Sequence, residues 1–283
     1  MAGLNNKRLN SLLKYIFLIL FGYIFLYPFL FLISSSFKTD AEIMTSLSLI
    51  PRKGIVLDSY IKGWIGLGRQ TFGHFLLNSC EIVIPVVIFS IISSCFVSYG
   101  FARFKFRFRN VFFFIMISTL MLPNAVTIIP KYILFVQLGW INTYNVFIIP
   151  ALFATNSFFI YMMMQYMRSI PKELDEAAFV DGCSTFDIFL RIMMPLCKPA
   201  VFSIAIFQTV WTWNDFFNPL IFISRVQKYT VMQALRMSMD TTSQVSWGPI
   251  MAMAFVSMIP CIVLFFSAQD YFIEGIATTG IKG

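Results

Sequence analysis

Charge is scarce in this chain. Only 12% of its 283 residues are Asp, Glu, Lys or Arg, and it has a single histidine, His74. About a quarter of a soluble domain is charged, so an ordinary soluble fold is excluded. One histidine and scattered acids also argue against the clustered His, Asp and Glu of a membrane enzyme's reaction centre. The five cysteines stand at 80, 95, 183, 197 and 261, with no pair at metal-ligand spacing. That leaves neither a zinc site nor a disulfide framework. Cys80, Cys95 and Cys261 fall in apolar runs, where they act as small apolar residues. No GxxxxGK[S/T] loop occurs, so any ATP that drives this protein is hydrolysed by another chain.

What is present is apolar: 58% of residues, 34 of them Phe, with a mean hydropathy of +0.78. Long uncharged runs of this kind make a multi-span membrane protein. The net charge of +8 could point to nucleic acid. The cations sit at the ends of apolar runs, however, where they set orientation. The pattern predicts six spans, at about 15–36 (kinked at Pro28), 74–99, 111–129, 146–166, 200–223 and 248–272. The first lacks a cleavage signal and is expected to be retained. Around the spans lie a polar N-terminus (1–14), a polar segment (37–73), an outer surface segment starting at Pro130, an outer loop (224–247) and a tail (273–283). With the N-terminus inside, inner segments take twelve of the 21 Lys and Arg. That places both termini on the inner side. Arg103, Lys105, Arg107 and Arg109 alternate with Phe just after the second run, as an interfacial stop. His74 reads as interfacial. Glu81, with Asn78 and Ser79, reads as a snorkelling acid or as part of a cavity mouth.

Residues 168–199 form the longest strongly amphipathic piece. Pro171 suits a first helical position, and Glu173, Asp175 and Glu176 suit the positive end of a helix dipole. Gly182 ends that helix. Ser184 starts a second one, with Asp187 at capping-box spacing, and Pro195 and Pro199 stop it. Two short helices with an elbow at Gly182 are predicted, and Ala177, Ala178 and Gly182 leave one side open to close approach.

The fifth run carries Gln208, Trp211, Thr212, Asn214, Asp215 and Asn218. Gln208, Thr212 and Asp215 fall on one helical face, with Trp211 at its edge. A carboxylate inside a span faces water or a partner, and Pro219 frees the Asp215 carbonyl. Two readings stand: the set lines a translocation path, with Trp against sugar rings and Asn and Asp on hydroxyls, or it caps and locks helix packing.

Glu176-Ala177-Ala178, Asp181-Gly182, Ile188-Phe189, Ile192, Pro195-Leu196 and Pro199 resemble the EAA loop of ABC-importer permeases. In that family the loop docks into a cleft on the cytoplasmic ATPase. Trp211-Thr-Trp-Asn-Asp-Phe216 and Asn218-Pro219-Leu220 are similar to the fifth span of its carbohydrate branch, of the maltose and multiple-sugar type. Pro123 with Pro130, Leu138-Gly139 and Asn142-Thr143 extend the likeness over most of the chain. The tail resembles one that threads between two ATPases, which would bring Gly280, Lys282 and Gly283 to them. Ile273-Glu274 and Thr278-Thr279 depart from its more basic and small residues.

The resemblance implies an all-α integral membrane protein with six transmembrane helices, of the type I ABC-importer permease fold, with cytoplasmic coupling helices. Glu176, Ala177, Ala178, Asp181, Gly182, Ile188, Phe189 and Pro195 would then couple to the ATPase. One chain supplies half a pathway in the cell membrane. Its expected partners are a second, different permease, two ABC ATPases carrying ATP and Mg, an extracellular solute-binding protein reached by the 224–247 loop, and lipid. No catalytic residue, metal, cofactor or nucleic acid is expected on this chain. The expected cargo is a neutral oligosaccharide. The alternatives are a non-sugar solute such as a sugar phosphate, an ATP-independent channel, or a membrane enzyme.

Overall fold

A computed structural model describes residues 2–67, 69–239 and 245–280, with side chains for 11–67, 69–239 and 245–269. The described residues are helical apart from their connections, and no strand forms beyond an isolated bridge of Leu67 with Gln70. The chain divides into two compact units, residues 1–73 with 234–259, and residues 74–233 with 260–283.

The helices are α1 (Ala2–Ser35), α2 (Asp40–Thr45), α3 (Asp58–Trp64), α4 (Phe72–Arg103), α5 (Arg109–Thr119), α6 (Asn124–Gln137), α7 (Asn145–Leu152) and α8 (Ser157–Ser169). Then come α9 (Glu173–Val180), α10 (Thr185–Asp187), a π-helical stretch (Ile188–Met193), α11 (Met194–Leu196), α12 (Lys198–Trp213), α13 (Phe217–Phe222), α14 (Val231–Met239) and α15 (Trp247–Gly280). Four segments are long and apolar enough to cross a membrane, or up to six if each of two bent helix pairs is one span.

In the first unit α1 is continuous through Pro28, and its most apolar stretch has no residue buried inside the chain. Ile19 and Phe25 are 72% and 71% exposed. Such a helix persists only where lipid or another subunit covers it. The 37–73 segment is a folded cap, not a plain polar connector. The fully buried Lys38 donates its ammonium to the Ser48 carbonyl and lies 5.1 Å from the Phe31 ring centroid. Glu42 accepts the Arg52 amide at 2.7 Å. Asp40 Oδ1 accepts the Gly248 amide at 2.7 Å, closing an open donor in the first turn of α15. A Cβ on Gly248 would lie 2.5 Å from Ser59 Oγ, so glycine sets this approach of α3 to α15.

The second unit holds the larger core. Cys95 and Tyr99 of α4, Met116 of α5, and Phe159, Ile160, Met163, Met164 and Met167 of α8 pack with Ala178, Ile188, Phe189, Met193 and Cys197, and with Ala200 and Ile204 of α12. Ser90, Ser94 and Ser98 recur every fourth residue on α4, and all three are buried. Ser98 donates to the Ile160 carbonyl and Ser93 to that of Ala151, each at 2.7 Å.

Three of the expected spans are interrupted. The 111–129 run breaks between α5 and α6, which meet at 102°. Pro123 lacks an amide and disfavours a helical Leu122. α6 then runs through Pro130, so that residue does not begin a separate segment. The fourth run breaks at 153–156, where Ala154 takes φ 55. The fifth ends its helix at Trp213 instead of near 223. α15 continues past the expected end near 272 to Gly280, in a stretch without proline.

Alanine at Gly248 is expected to lower the detergent-solubilised protein's stability by about 1–3 kcal/mol through overpacking and loss of the Asp40 contact. Gly100, mid-helix with nothing within 4 Å of an added Cβ, is the control. Gly100→Ala is expected to gain up to about 1 kcal/mol. Equal melting shifts for the two would refute the packing argument.

Candidate functional site

The elbow is built from local rules. α9 begins at Glu173 behind Lys172, so Pro171 precedes the helix and does not occupy its first position. Its end is a Schellman motif: the Gly182 amide donates to Phe179 O at 3.1 Å and the Cys183 amide to Ala178 O at 3.0 Å. Gly182 takes φ 83, with open space where a Cβ would go. The backbone conformation, not crowding, therefore asks for glycine. Ser184 caps the next helix by accepting the Asp187 amide at 3.2 Å. In a capping box the acid returns to the cap's backbone amide; here Asp187 Oδ2 takes the Ser184 hydroxyl at 2.5 Å. That hydroxyl first, and then Arg191, hold the Asp187 carboxyl below the usual carboxylate range.

The second limb does not stop at Pro195 and Pro199. It passes through the π-helical stretch, includes Pro195 in α11, and breaks at Cys197. Pro199 lies in the first turn of α12, where a missing amide costs nothing. The two parts of the limb meet at 74°.

The elbow faces two ways. Glu176, Ala177, Asp181, Gly182 and Pro195 are exposed, whereas Ala178, Ile188 and Phe189 turn into the core. Ala178 is therefore not part of an open small-residue side. Phe179, Val180 and Phe186, which the motif reading overlooked, are 68%, 86% and 59% exposed. Phe189 is gripped from α4, 4.8 Å from Phe96 and 5.0 Å from Tyr99 between ring centroids.

Reading along the sequence also missed the partner of Arg103. Its Nε lies 2.5 Å from Asp175 Oδ2, with side chains 6% and 18% exposed. Its Nη2 donates to the Ile170 carbonyl at 3.0 Å and to Met193 Sδ at 3.6 Å. Asp175 Oδ1 and Arg103 Nε are both buried without an aligned hydrogen bond, so the pair is held by the proximity of its charges. Burial raises the Asp175 carboxyl pKa above its ordinary value, and Arg103 opposes that rise.

The fifth-run polar set separates into three groups. Gln208 is 9% exposed; it accepts from Ser90 at 3.5 Å and from Asn156 at 3.4 Å, and donates to Thr212 at 2.7 Å. Asp215 caps α13, accepting the Asn218 amide at 3.1 Å and its side-chain amide at 2.7 Å, and Asn218 in turn accepts from Asn124 at 3.3 Å. Thr212 and Asp215 border, with Ser79 and Thr230, a cavity of about 10 Å³. That is room for one water and not for a sugar ring. Trp211 is 46% exposed and stacks on Phe159 at 5.2 Å; Asn214 is also exposed.

The 224–231 stretch is fastened to the far end of α4. Asn78 donates to the Gln227 and Tyr229 carbonyls at 2.9 Å each, His74 Nε2 meets Gln227 O at 2.6 Å, and Ser79 accepts the Val231 amide at 2.9 Å. Asn142, at φ 61, accepts the Ser224 and Arg225 amides at 2.6 and 3.2 Å. Glu81 is exposed. Gly280 ends α15, while Lys282 and Gly283 lie outside the described residues. Among the described residues no group of three His, Cys, Asp or Glu could hold a metal ion.

A helical chain of several apolar segments, interrupted by an amphipathic elbow, defines a membrane transport subunit. Residues 87–278 match the family described as "Binding-protein-dependent transport system inner membrane component", and the chain belongs to it. It is 34% identical to the arabinooligosaccharides transport system permease protein AraQ of Halalkalibacterium halodurans, over 93% of each chain. It is 31% identical to the probable ABC transporter permease protein YurM of Bacillus subtilis, over 95% of this chain and 88% of that one. The trehalose/maltose transport system permease protein MalG of Thermococcus litoralis is 28% identical over 99% of this chain and 100% of its own length. In fold the chain is similar to a chain in the crystal structure of a bacterial ABC transporter involved in import of the acidic polysaccharide alginate. The TM-score is 0.82 at 23% identity, over 94% of this chain and 98% of that one. The chain is thus an inner membrane component of the type I ABC-importer permease class. That class works with a partner permease, an ATPase and a binding protein.

Two results are expected here. Gly182→Ala should cost about 1–2 kcal/mol for left-handed strain, and Gly182→Asn less; equal melting temperatures would refute this. The second concerns Asp175. A carboxyl whose folded pKa is raised stabilises the fold below its unfolded pKa, and that contribution is lost as pH rises through the folded value. Arg103→Met raises it further. Its melting temperature should approach the parent's at acid pH and fall behind as pH climbs from the ordinary carboxylate range toward neutrality. A deficit constant with pH would contradict this.

Proposed function

We propose that the chain is one permease of a carbohydrate importer, with the elbow as the handle moved by separate ATPases. The single observation that carries this is the outward apolar tip Phe179–Val180 beside exposed Ala177, on a turn whose own backbone bonds are complete. An exposed apolar tip on a satisfied turn is built to enter a groove. The elbow and the basic end of α4 lie in the cytoplasm, as do both termini, and the 224–247 loop faces the binding protein outside. ATP and Mg sit on the two ATPases, and this chain performs no chemistry. ATPase closure favours one state of the permease pair through contacts that differ between the states.

Oligosaccharides are the proposed cargo, because the sugar-named relatives align with nearly the whole chain. Trp211 is the residue offered to the path from α12, since Gln208, Asp215 and the Asn214 amide, which donates to the Val210 carbonyl at 2.9 Å, spend their hydrogen bonds within the fold. The tail residues Gly280, Lys282 and Gly283 are proposed to reach the ATPases.

Val180→Asp and Ala177→Asp place a charge on exposed positions and should leave insertion intact. In the assembled importer both are expected to abolish co-purification of the ATPases and sugar uptake. Normal uptake by either variant refutes docking at the elbow. Trp211→Ala is expected to lower oligosaccharide uptake at least tenfold with the ATPases still bound, and unchanged uptake removes it from the path.

A further inference from the structure

α8 and α12 are joined covalently to the two ends of the elbow segment and follow it through the backbone. α4 has no such connection, because sixty-eight residues of chain separate Arg103 from Lys172. Its links to the elbow among the described residues are made by side chains of its last turns. Phe96 and Tyr99 grip Phe189, and the Tyr99 hydroxyl lies 3.4 Å from the Thr185 carbonyl. Arg103 reaches both limbs: Asp175 and Ile170 on the first side, and Met193 at the end of the π-helical stretch on the second. An ion pair this enclosed resists separation, because a guanidinium shifted away leaves two buried charges unmatched.

The other end of the same helix holds the 224–231 stretch through Asn78 and Ser79. Asn78 and Arg103 are 25 residues apart on one helix that continues through Pro85. At 1.5 Å per residue that is at most roughly 38 Å, since an interior proline bends a helix. A stiff helix pinned at both ends transmits displacement, whereas a loosely packed one absorbs it.

We propose that α4 is the rod that carries the signal between the outer loop and the elbow, and that Arg103 is its inner pin. This rests on the elbow being the ATPase handle. Arg103 is a positioning residue and is not placed in contact with nucleotide or cargo.

The test uses the complete importer in proteoliposomes. The probe is its binding protein loaded from a mixture of malto- and arabino-oligosaccharides. The readout is the ratio of ATP hydrolysis with and without the loaded binding protein, together with sugar moved per ATP. Arg103→Met is expected to assemble and hydrolyse ATP, with the ratio and the sugar moved per ATP each reduced at least tenfold. Asn78→Ala should lower the same ratio at the other end. The double variant should be no worse than the poorer single, since both break one path. Arg103→Lys keeps a charge on Asp175 without the fork to Ile170, and should fall between parent and Met. Should the Met variant not assemble, Asp175→Asn carries the same expectation and the Lys variant a smaller loss in the same direction. Full stimulation in an assembled Arg103 or Asp175 variant overturns the proposal. So does a double variant whose loss is the product of the singles, which would mean independent effects. If Val180→Asp still binds the ATPases, the handle itself is wrong. If Val180→Asp fails to bind while Arg103→Met behaves as the parent, only the pin is.

Discussion

A backbone amide or carbonyl left open in lipid costs several kcal/mol, because no water is there to meet it. Within the apolar segments this constraint falls on each helix break, and similar repairs recur at breaks outside them. At Gly182 the open groups are closed by the backbone itself, through the paired amides of Gly182 and Cys183. Between α12 and α13 the Asp215 carboxylate takes the amide of Asn218, the second residue of the new helix. At the corner after α6, Asn142 adopts a left-handed conformation and gives its side-chain oxygen to two amides of the 224–225 turn. Beyond the end of α4, Arg109 returns its guanidinium to the Phe101 carbonyl at 2.5 Å. Polar residues are few in this chain, and several of them are committed to these duties.

The elbow combines that economy with a division of labour. Its motif residues include some that face out and some that hold the segment down. Ala178, Ile188 and Phe189 belong to the methionine-rich core with α8 and α4. Methionine fills irregular gaps and tolerates small shifts of its neighbours. The π-helical stretch adds an extra residue per turn at Ile188–Met193, the kind of local widening that recurs at functional sites. The Arg103–Asp175 pair then supplies the one rigid constraint. Such a pair adds little net stability, because desolvation of both charges offsets their attraction. Removing one partner is costly, roughly 3–5 kcal/mol for a buried pair. The pair therefore specifies where the elbow sits more than it stabilises the fold.

Much of this was legible in the residues. Apolar runs mark the membrane segments because their length and lack of charge have one inexpensive environment. Gly182 and Ser184 mark the elbow because a helix end and a helix start have few good chemistries. What was not legible is tertiary. The breaks near 120–123 and 153–156 lie inside runs that remain apolar throughout, so hydropathy passes over them. Pro123 signals the first of these, and a run-length criterion ignores it. The 37–73 segment reads as polar, yet it buries Lys38 and Glu42. Composition alone does not tell a folded cap from a connector. Arg103 sits in a basic, aromatic run that the positive-inside rule already explains, and its acid is 72 residues away. A sufficient local reason concealed the distant partner.

The fifth-run polar residues sharpen the same point. Their spacing places Gln208, Thr212 and Asp215 on one face, and the structure binds Gln208 to Thr212 and sets Asp215 beside them around a cavity of about 10 Å³. Periodicity identifies which residues share a face but not whether that face is open. A single permease chain presents only half the wall of a pathway shared with a partner. Groups aimed at cargo are those with hydrogen-bonding or stacking capacity left after the fold has used its share. On α12 and the turn after it, Trp211 keeps a half-exposed ring, whereas Gln208 is enclosed and the exposed Asn214 already donates its amide to the Val210 carbonyl at 2.9 Å. The division follows from the first constraint: side chains beside a helix break are drawn into repairing it, and recognition falls to their neighbours one helical step away.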